Sequence, residues 1–127
     1  MKTLNLYKFD CYRISREMSR IGWKIYLKIP RQFQYSTADQ FLRSVDSVQA
    51  NLAEGFGRYH YKDKMKFAFN ARGSLYEALS WSEILLEREL INKSDQEQFS
   101  ELCIKVSLLL NGHIRYLYEK STPSTPS

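Results

Sequence analysis

Gln49-Ala50-Asn51-Leu52-Ala53-Glu54-Gly55-Phe56-Gly57-Arg58 decides how this chain folds. It reads as the last turns of a helix that carries Asn51 and Glu54 among small residues. Gly55 and Gly57 are expected to close the helix, and Arg58 opens a basic, aromatic turn, Arg58-Tyr59-His60-Tyr61-Lys62-Asp63-Lys64. Upstream, Phe41, Val45, Val48 and Leu52 keep the spacing of one helical face. Ser36 or Thr37 is the expected N-cap of that helix.

Three more helices follow from the same spacing argument. Cys11, Ile14, Met18, Ile21 and Ile25 make a first apolar seam, which Pro30 ends because proline disfavours helix at the residue before it. A third helix runs from a cap at Asp63 through Ala68, Ala71, Leu75, Leu79, Ser82 and Leu86. Ser94-Asp95-Gln96-Glu97 reads as a capping box. Phe99, Leu102, Val106, Leu109, His113 and Tyr116 follow as the seam of a fourth helix, to about Lys120. No segment reads as a strand, and the connections are short. The fold class is therefore all-α, an antiparallel up-down-up-down four-helix bundle over residues 1–120. The Ser/Thr/Pro tail 121–127 is expected to be disordered.

Composition narrows the function. The chain has 127 residues and a hydrophobic fraction of 43%, enough for a core. No apolar run reaches the roughly 18 residues of a membrane span, and the first residues lack an apolar stretch of signal-peptide length. Cys11 and Cys103 lie far apart with no partner at metal spacing, as expected of two reduced, buried thiols in a cytoplasmic protein. Residues 1–72 hold 14 Lys/Arg against 6 Asp/Glu, a balance of +8; residues 73–127 hold 5 against 8, a balance of −3. Such asymmetry points to an anionic partner or to charge-complementary packing.

The cations of the first helix form a ladder: Arg13, Arg16, Arg20, Lys24 and Lys28, interrupted only by Glu17 and extended by Arg31. Their steps hold them on one flank, over about 25 Å of helix. They are either phosphate contacts or a solvated or inter-subunit face. The turn offers a second candidate, in which Arg58, Lys62 and Lys64 alternate with Tyr59 and Tyr61. Single-strand binding uses cations for phosphates and rings for bases; an interhelical turn with packed tyrosines is the other reading. Arg43, Ser47, Asn51, Glu54 and Arg58 form a polar stripe on the second helix, and Asn70, Gly73, Ser74 and Glu77 another on the third. Gly73 in mid-helix costs about 1 kcal/mol against alanine, which a close helix approach would offset. Two Trp, nine Tyr and seven Phe are many for a small bundle. Tyr12, Trp23, Tyr26, Tyr76, Trp81 and Tyr118 fall off the seams and suit either a subunit interface or the flanks of a wide core.

Catalytic patterns are missing. Di-metal bundles need paired Glu-x-x-His motifs, and neither His60 nor His113 follows a Glu by three residues. No Gly-rich phosphate loop or nucleophile elbow occurs. The expectation is a non-enzyme with no cofactor, metal or small-molecule substrate, in which His113 is a core residue.

Gln40-x-x-Arg43, Ser47 through Arg58, Phe67, and Ala71-x-Gly73-Ser74-Leu75-x-Glu77 resemble the four-helix-bundle proteins encoded in 23S rRNA intervening sequences. Those proteins carry an Asn-Ile-Ala-Glu-Gly-Tyr-Gly-Arg run and an Ala-x-Gly-Ser-x-x-Glu run, in the same order. The likeness covers residues 8 to 120. It implies a homopentameric, barrel-like assembly with a basic surface and an association with RNA or a ribonucleoprotein. A related branch, the accessory variability proteins of diversity-generating retroelements, implies instead a scaffold that docks a reverse transcriptase. On this reading Arg13, Arg16, Arg20, Lys24, Lys28, Arg58, Tyr59, Tyr61, Lys62 and Lys64 meet nucleic acid. Arg43, Asn51, Glu54, Gly55, Gly73, Ser74 and Glu77 hold the fold or the assembly. The chain departs from the family at Gln49, where proline is usual, and at Ser36-Thr37, where Gly-Leu is usual.

Overall fold

The computed structural model describes residues 4–122. Four helices carry the fold: α1 Asp10–Lys28, α2 Asp39–Phe56, α3 Tyr61–Glu87 and α4 Lys93–Ser121. A 3₁₀ turn, Asn5–Lys8, precedes them. Side-chain contacts fix their directions. Phe9, just before α1, stacks on Phe56 at the end of α2 and meets His113 late in α4 at a tilt. Lys28, at the other end of α1, reaches Asp95 early in α4. Ser47 meets Ser74, and Thr37 meets Arg88, so α2 and α3 run opposite ways. Arg72 with Asn111 and Ser82 with Gln96 do the same for α3 and α4. Each helix packs on its two neighbours while the diagonal pairs barely touch. The result is an antiparallel square with edges α1–α2, α2–α3, α3–α4 and α4–α1.

One core fills the square, with Met18, Phe41, Val45, Leu85, Phe99 and Leu110 fully buried. Phe41 and Phe99 meet edge to face at 5.0 Å. Two seams run in a different frame from the one spacing suggested. On α4 the buried set is Phe99, Leu102, Cys103, Val106, Leu110 and Leu117, while Leu109 and Tyr116 are exposed. Leu108-Leu109-Leu110 satisfies either frame, and Cys103 with Leu117 selects the one that is used. On α3, Ala78 and Leu85 replace Leu79 and Leu86. Ala78-Leu79 and Leu85-Leu86 each offer two adjacent apolar residues, so spacing fits either frame, and the structure buries the first of each pair.

The helix ends also differ from the expected caps. Neither Ser36 nor Thr37 caps α2. Ser36 sits in a kinked turn at φ −130°, ψ −108°, and the Thr37 hydroxyl accepts a bond from Arg88. The helix grows out of the preceding turn, so its first N–H groups do not call for a side-chain cap. Asp63 lies inside the first turn of α3, which starts at Tyr61. The box at Ser94 and Glu97 is displaced by two residues: Asn92 accepts from the Asp95 backbone N–H at 2.8 Å and starts α4. Gly55 and Gly57 do not end α2 through left-handed backbone. Gly57 has φ −79°, and no described glycine has positive φ. Ser121 is helical, its hydroxyl donating to the Tyr118 carbonyl. The remainder of the expected tail, 123–127, lies outside the described residues.

Gly73 reverses its expected role. A Cβ built there meets nothing within 4 Å, so no close approach inside the chain explains it. The tight glycines are others. At Gly22 a Cβ would stand 2.9 Å from Val45 Cγ1, and at Gly55 it would stand 2.8 Å from Phe67 Cβ. Gly22 lets α1 approach α2, and Gly55 lets α2 approach α3.

Candidate nucleic-acid interface

The ladder on α1 is closed at its ends and open in its middle. Arg13 pairs with Asp10, and Lys28 Nζ lies 3.0 Å from the Asp95 carboxylate. Arg16 donates to the Tyr12 hydroxyl at 2.7 Å, and its guanidinium stands over that ring. Arg20 and Lys24 are exposed and make no ion pair among the described residues. Exposed ion pairs contribute at most about 1 kcal/mol, so even the paired cations remain available to a polyanion.

Arg16 and Arg20 form a ridge between two hollows. One is lined by Tyr7, Tyr12 and Arg13. The other, an open groove of about 450 Å³ between α1 and α2, is lined by Ser19, Trp23, Asp46 and Gln49. Trp23 stacks nearly parallel on Tyr26 at 5.6 Å and is still 49% exposed. Sequence reasoning missed Asp46 and took Gln49 only as a missing proline. The available signal was their three-residue spacing on α2, which puts both on one face.

The turn splits into structural and free residues. Lys64 Nζ donates to the Phe56 carbonyl at 3.0 Å and approaches the Gly55 carbonyl, so it caps the end of α2. Arg58 pairs with Glu54 at 3.1 Å and lies over the Phe67 ring. Tyr59 is 88% exposed, and Tyr61 and Lys62 are also on the surface. Lys62 and Tyr61 share a hollow with His60 and Lys120. This turn lies at the same end of the bundle as Arg13, joined there by the Phe9–Phe56 stack.

Of the expected polar network, one link crosses between helices. Asn51 donates to the Ser47 carbonyl and hydroxyl, and Ser74 donates to the Ser47 hydroxyl at 2.9 Å. The others stay local and exposed: Arg43 beside Asp39, Glu54 beside Arg58, and Glu77 accepting from the Trp81 indole. Among the off-seam aromatics, Tyr12 is buried and Tyr26 and Trp81 flank the core. Trp23, Tyr76 and Tyr118 face outward.

Burial pushes both thiols, Cys11 and Cys103, up to about 12, which keeps them protonated and unreactive. Burial and the Lys64 charge push His113 down. Burial raises the Asp46 carboxyl; nearby Ser19 offsets part of that rise without reaching hydrogen-bond geometry. No group of three His, Cys, Asp or Glu side chains converges on a metal position among the described residues. No described helix is long and apolar enough to cross a membrane.

The fold and its cationic flank define a small four-helix bundle with a charged groove on one edge. Residues 7–112 match the family of the 23S rRNA-intervening sequence protein, and the chain belongs to that family. It is also similar to the crystal structure of a protein with unknown function from the S23 ribosomal protein family of Bacteroides thetaiotaomicron VPI-5482. That pair has a TM-score of 0.77 at 23% identity, covering 82% of this chain and 97% of the other. At that identity the likeness speaks for the fold. Comparison with curated proteins returned no match.

Proposed function

We propose that this chain is a non-enzymatic, homo-oligomeric bundle, a pentamer in the cytoplasm, that binds RNA or a ribonucleoprotein through its α1 flank. The observation that carries the reading is the run Arg16, Arg20 and Lys24, in which Arg20 and Lys24 are exposed, Arg16 is half-buried, and Arg16 and Arg20 stand between two hollows that contain aromatic rings. Cations spaced one helical turn apart suit a phosphate backbone, and aromatic rings beside them suit unpaired bases. Tyr59, Tyr61 and Lys62 extend the surface around one end of the bundle. The family name supports an RNA setting.

The α3–α4 edge supports assembly. Phe69, Tyr76, Ile104 and Leu108 are exposed there, and an apolar groove runs between Tyr76 and Ile104. The cationic α1 flank favours one other reading, a protein-interaction scaffold whose basic face docks an acidic partner, such as a retroelement accessory protein that docks a reverse transcriptase. Retention of the purified chain on immobilised RNA, compared with an immobilised acidic protein, separates the two. The RNA reading expects retention on RNA that salt reverses. Retention on the acidic protein alone favours the scaffold.

A further inference from the structure

Asp46 is out of place in a phosphate-binding groove. Its carboxylate lines the hollow with Arg16 and Arg20, yet makes no ion pair with either. Asp46 is exposed at the rim of the groove, and the Ser19 hydroxyl lies close to its carboxylate. An ionised carboxylate is an acceptor with no hydrogen to give, and here it belongs to a residue that lines an open groove. Repulsion makes it a poor neighbour for phosphate, so the ligand that completes it is one that presents N–H donors.

Trp23 supplies the other half of such a site. The indole is held by its parallel stack on Tyr26 and keeps half its surface open beside Asp46. A planar, donor-bearing ring stacked on Trp23, with its backbone phosphates on Arg16 and Arg20, would turn its edge to Asp46 and Gln49. Single-stranded RNA is read in this way, with bases stacked on aromatic rings and hydrogen-bonded along their Watson–Crick edges. Among the four bases, guanine alone presents two adjacent donors on that edge, N1–H and the 2-amino group. They match the two oxygens of one carboxylate as a bidentate pair. Cytosine, adenine and uracil each offer a carboxylate a single donor group on that edge.

Building on the RNA-binding reading, we propose that the α1–α2 groove is a base-reading site that selects guanine: Trp23 stacks the base, Asp46 accepts its two donors, and Arg16 and Arg20 hold the flanking phosphates. Gln49, which carries both a donor and an acceptor, is placed to meet the remaining polar edge of the ring.

The test uses the full chain and fluorescent uridine decamers that carry one central guanosine, inosine, adenosine, cytidine or uridine. The guanosine decamer is expected to bind about tenfold more tightly than the uridine decamer, as one good bidentate pair allows. Inosine, which lacks the 2-amino group, should fall between them. Asp46→Asn should remove the preference, so that the guanosine and uridine decamers bind alike. Trp23→Ala should weaken all five together. Equal affinity for all five decamers in the unaltered chain, with binding still reversed by salt, overturns base reading and leaves the RNA reading standing. Absence of salt-sensitive binding to any decamer overturns both. A guanosine preference that survives Asp46→Asn removes the proposed reader. Loss of assembly in Trp23→Ala, with base preference unchanged, gives the groove to contact between copies instead.

Discussion

Opposite edges of this square bundle have solved the same packing problem in different ways. At the α1–α2 edge, Gly22 lets the two backbones close on Val45, and the rim outside the seam carries charge around one aromatic ring: Arg16, Arg20 and Asp46 beside Trp23. At the α3–α4 edge the glycines Gly73 and Gly112 face open space, and the rim is apolar: Phe69, Tyr76, Ile104 and Leu108. Both edges bury a hydrophobic seam, so both satisfy the fold. What differs is the surface beyond the seam. A charged rim is stable in water and invites a polyanion. An exposed apolar strip has no such solvation and marks a contact with protein.

The largest expected effect lies on the apolar edge. Ile104→Lys with Leu108→Lys places two charges on exposed positions that the core does not use. Light scattering at micromolar concentration should report about five times the 15.1 kDa chain for the parent and the single chain for the variant. A variant that keeps the parent's mass would break the comparison by moving the assembly surface elsewhere.

Next comes the tight glycine of the charged edge. Gly22→Ala must displace Val45, a branched side chain on a helix with little freedom to turn. Overpacking of this kind costs about 1–3 kcal/mol, read as a lower midpoint in urea. Gly55→Ala, against Phe67 and the Lys64 carbonyl, should behave alike. A neutral Gly22→Ala would mean that the two helices are less closely fitted than their contact implies.

His113 belongs to α4, at the end where Phe9 covers it. Burial holds its pKa below the ordinary 6.5, so the folded chain favours the neutral ring. The histidine's contribution to stability is whole above that value and is lost as pH falls through it toward the lower folded value. The melting temperature should therefore drop across this window in the parent and less so in His113→Asn. Equal slopes would remove His113 as the cause.

The smallest effect belongs to Gly73. On the Ile104→Lys, Leu108→Lys background, where contacts between copies are removed, Gly73→Ala should raise stability by up to about 1 kcal/mol. A loss there would show that Gly73 does have a close neighbour on its own chain.

The four helices were legible because Phe41, Val45, Val48 and Leu52, and their counterparts on the other helices, repeat at a period only a helix can use. The run from Ser47 to Arg58 and the run from Ala71 to Glu77 carried the family. Frame and caps were less legible for local reasons. Three consecutive leucines on α4 fit two frames, and Asn92 and Ser94 both suit a cap. Gly73 misled because sequence shows the cost of a mid-helix glycine but not whether its face is covered. Gly22 drew no notice, since its partner, Val45, lies on another helix. The ladder on α1 was legible from spacing alone. Its pairing was not, because Asp95 is 67 residues from Lys28, and Asp46 joins Arg16 and Arg20 only once α2 lies against α1.

The most direct measurement is the affinity of the parent and of Arg16→Gln, Arg20→Gln, Lys24→Gln for a single-stranded RNA across a salt series. Phosphate contact through the open middle of the ladder expects a log–log slope of about −0.7 per phosphate in the parent. It expects weaker binding and a flatter slope in the triple variant, whose helical content and melting should be retained because these side chains lie off the core. Binding that ignores salt in the parent, or an unchanged slope and affinity in the folded variant, would contradict the assignment of the α1 flank to RNA.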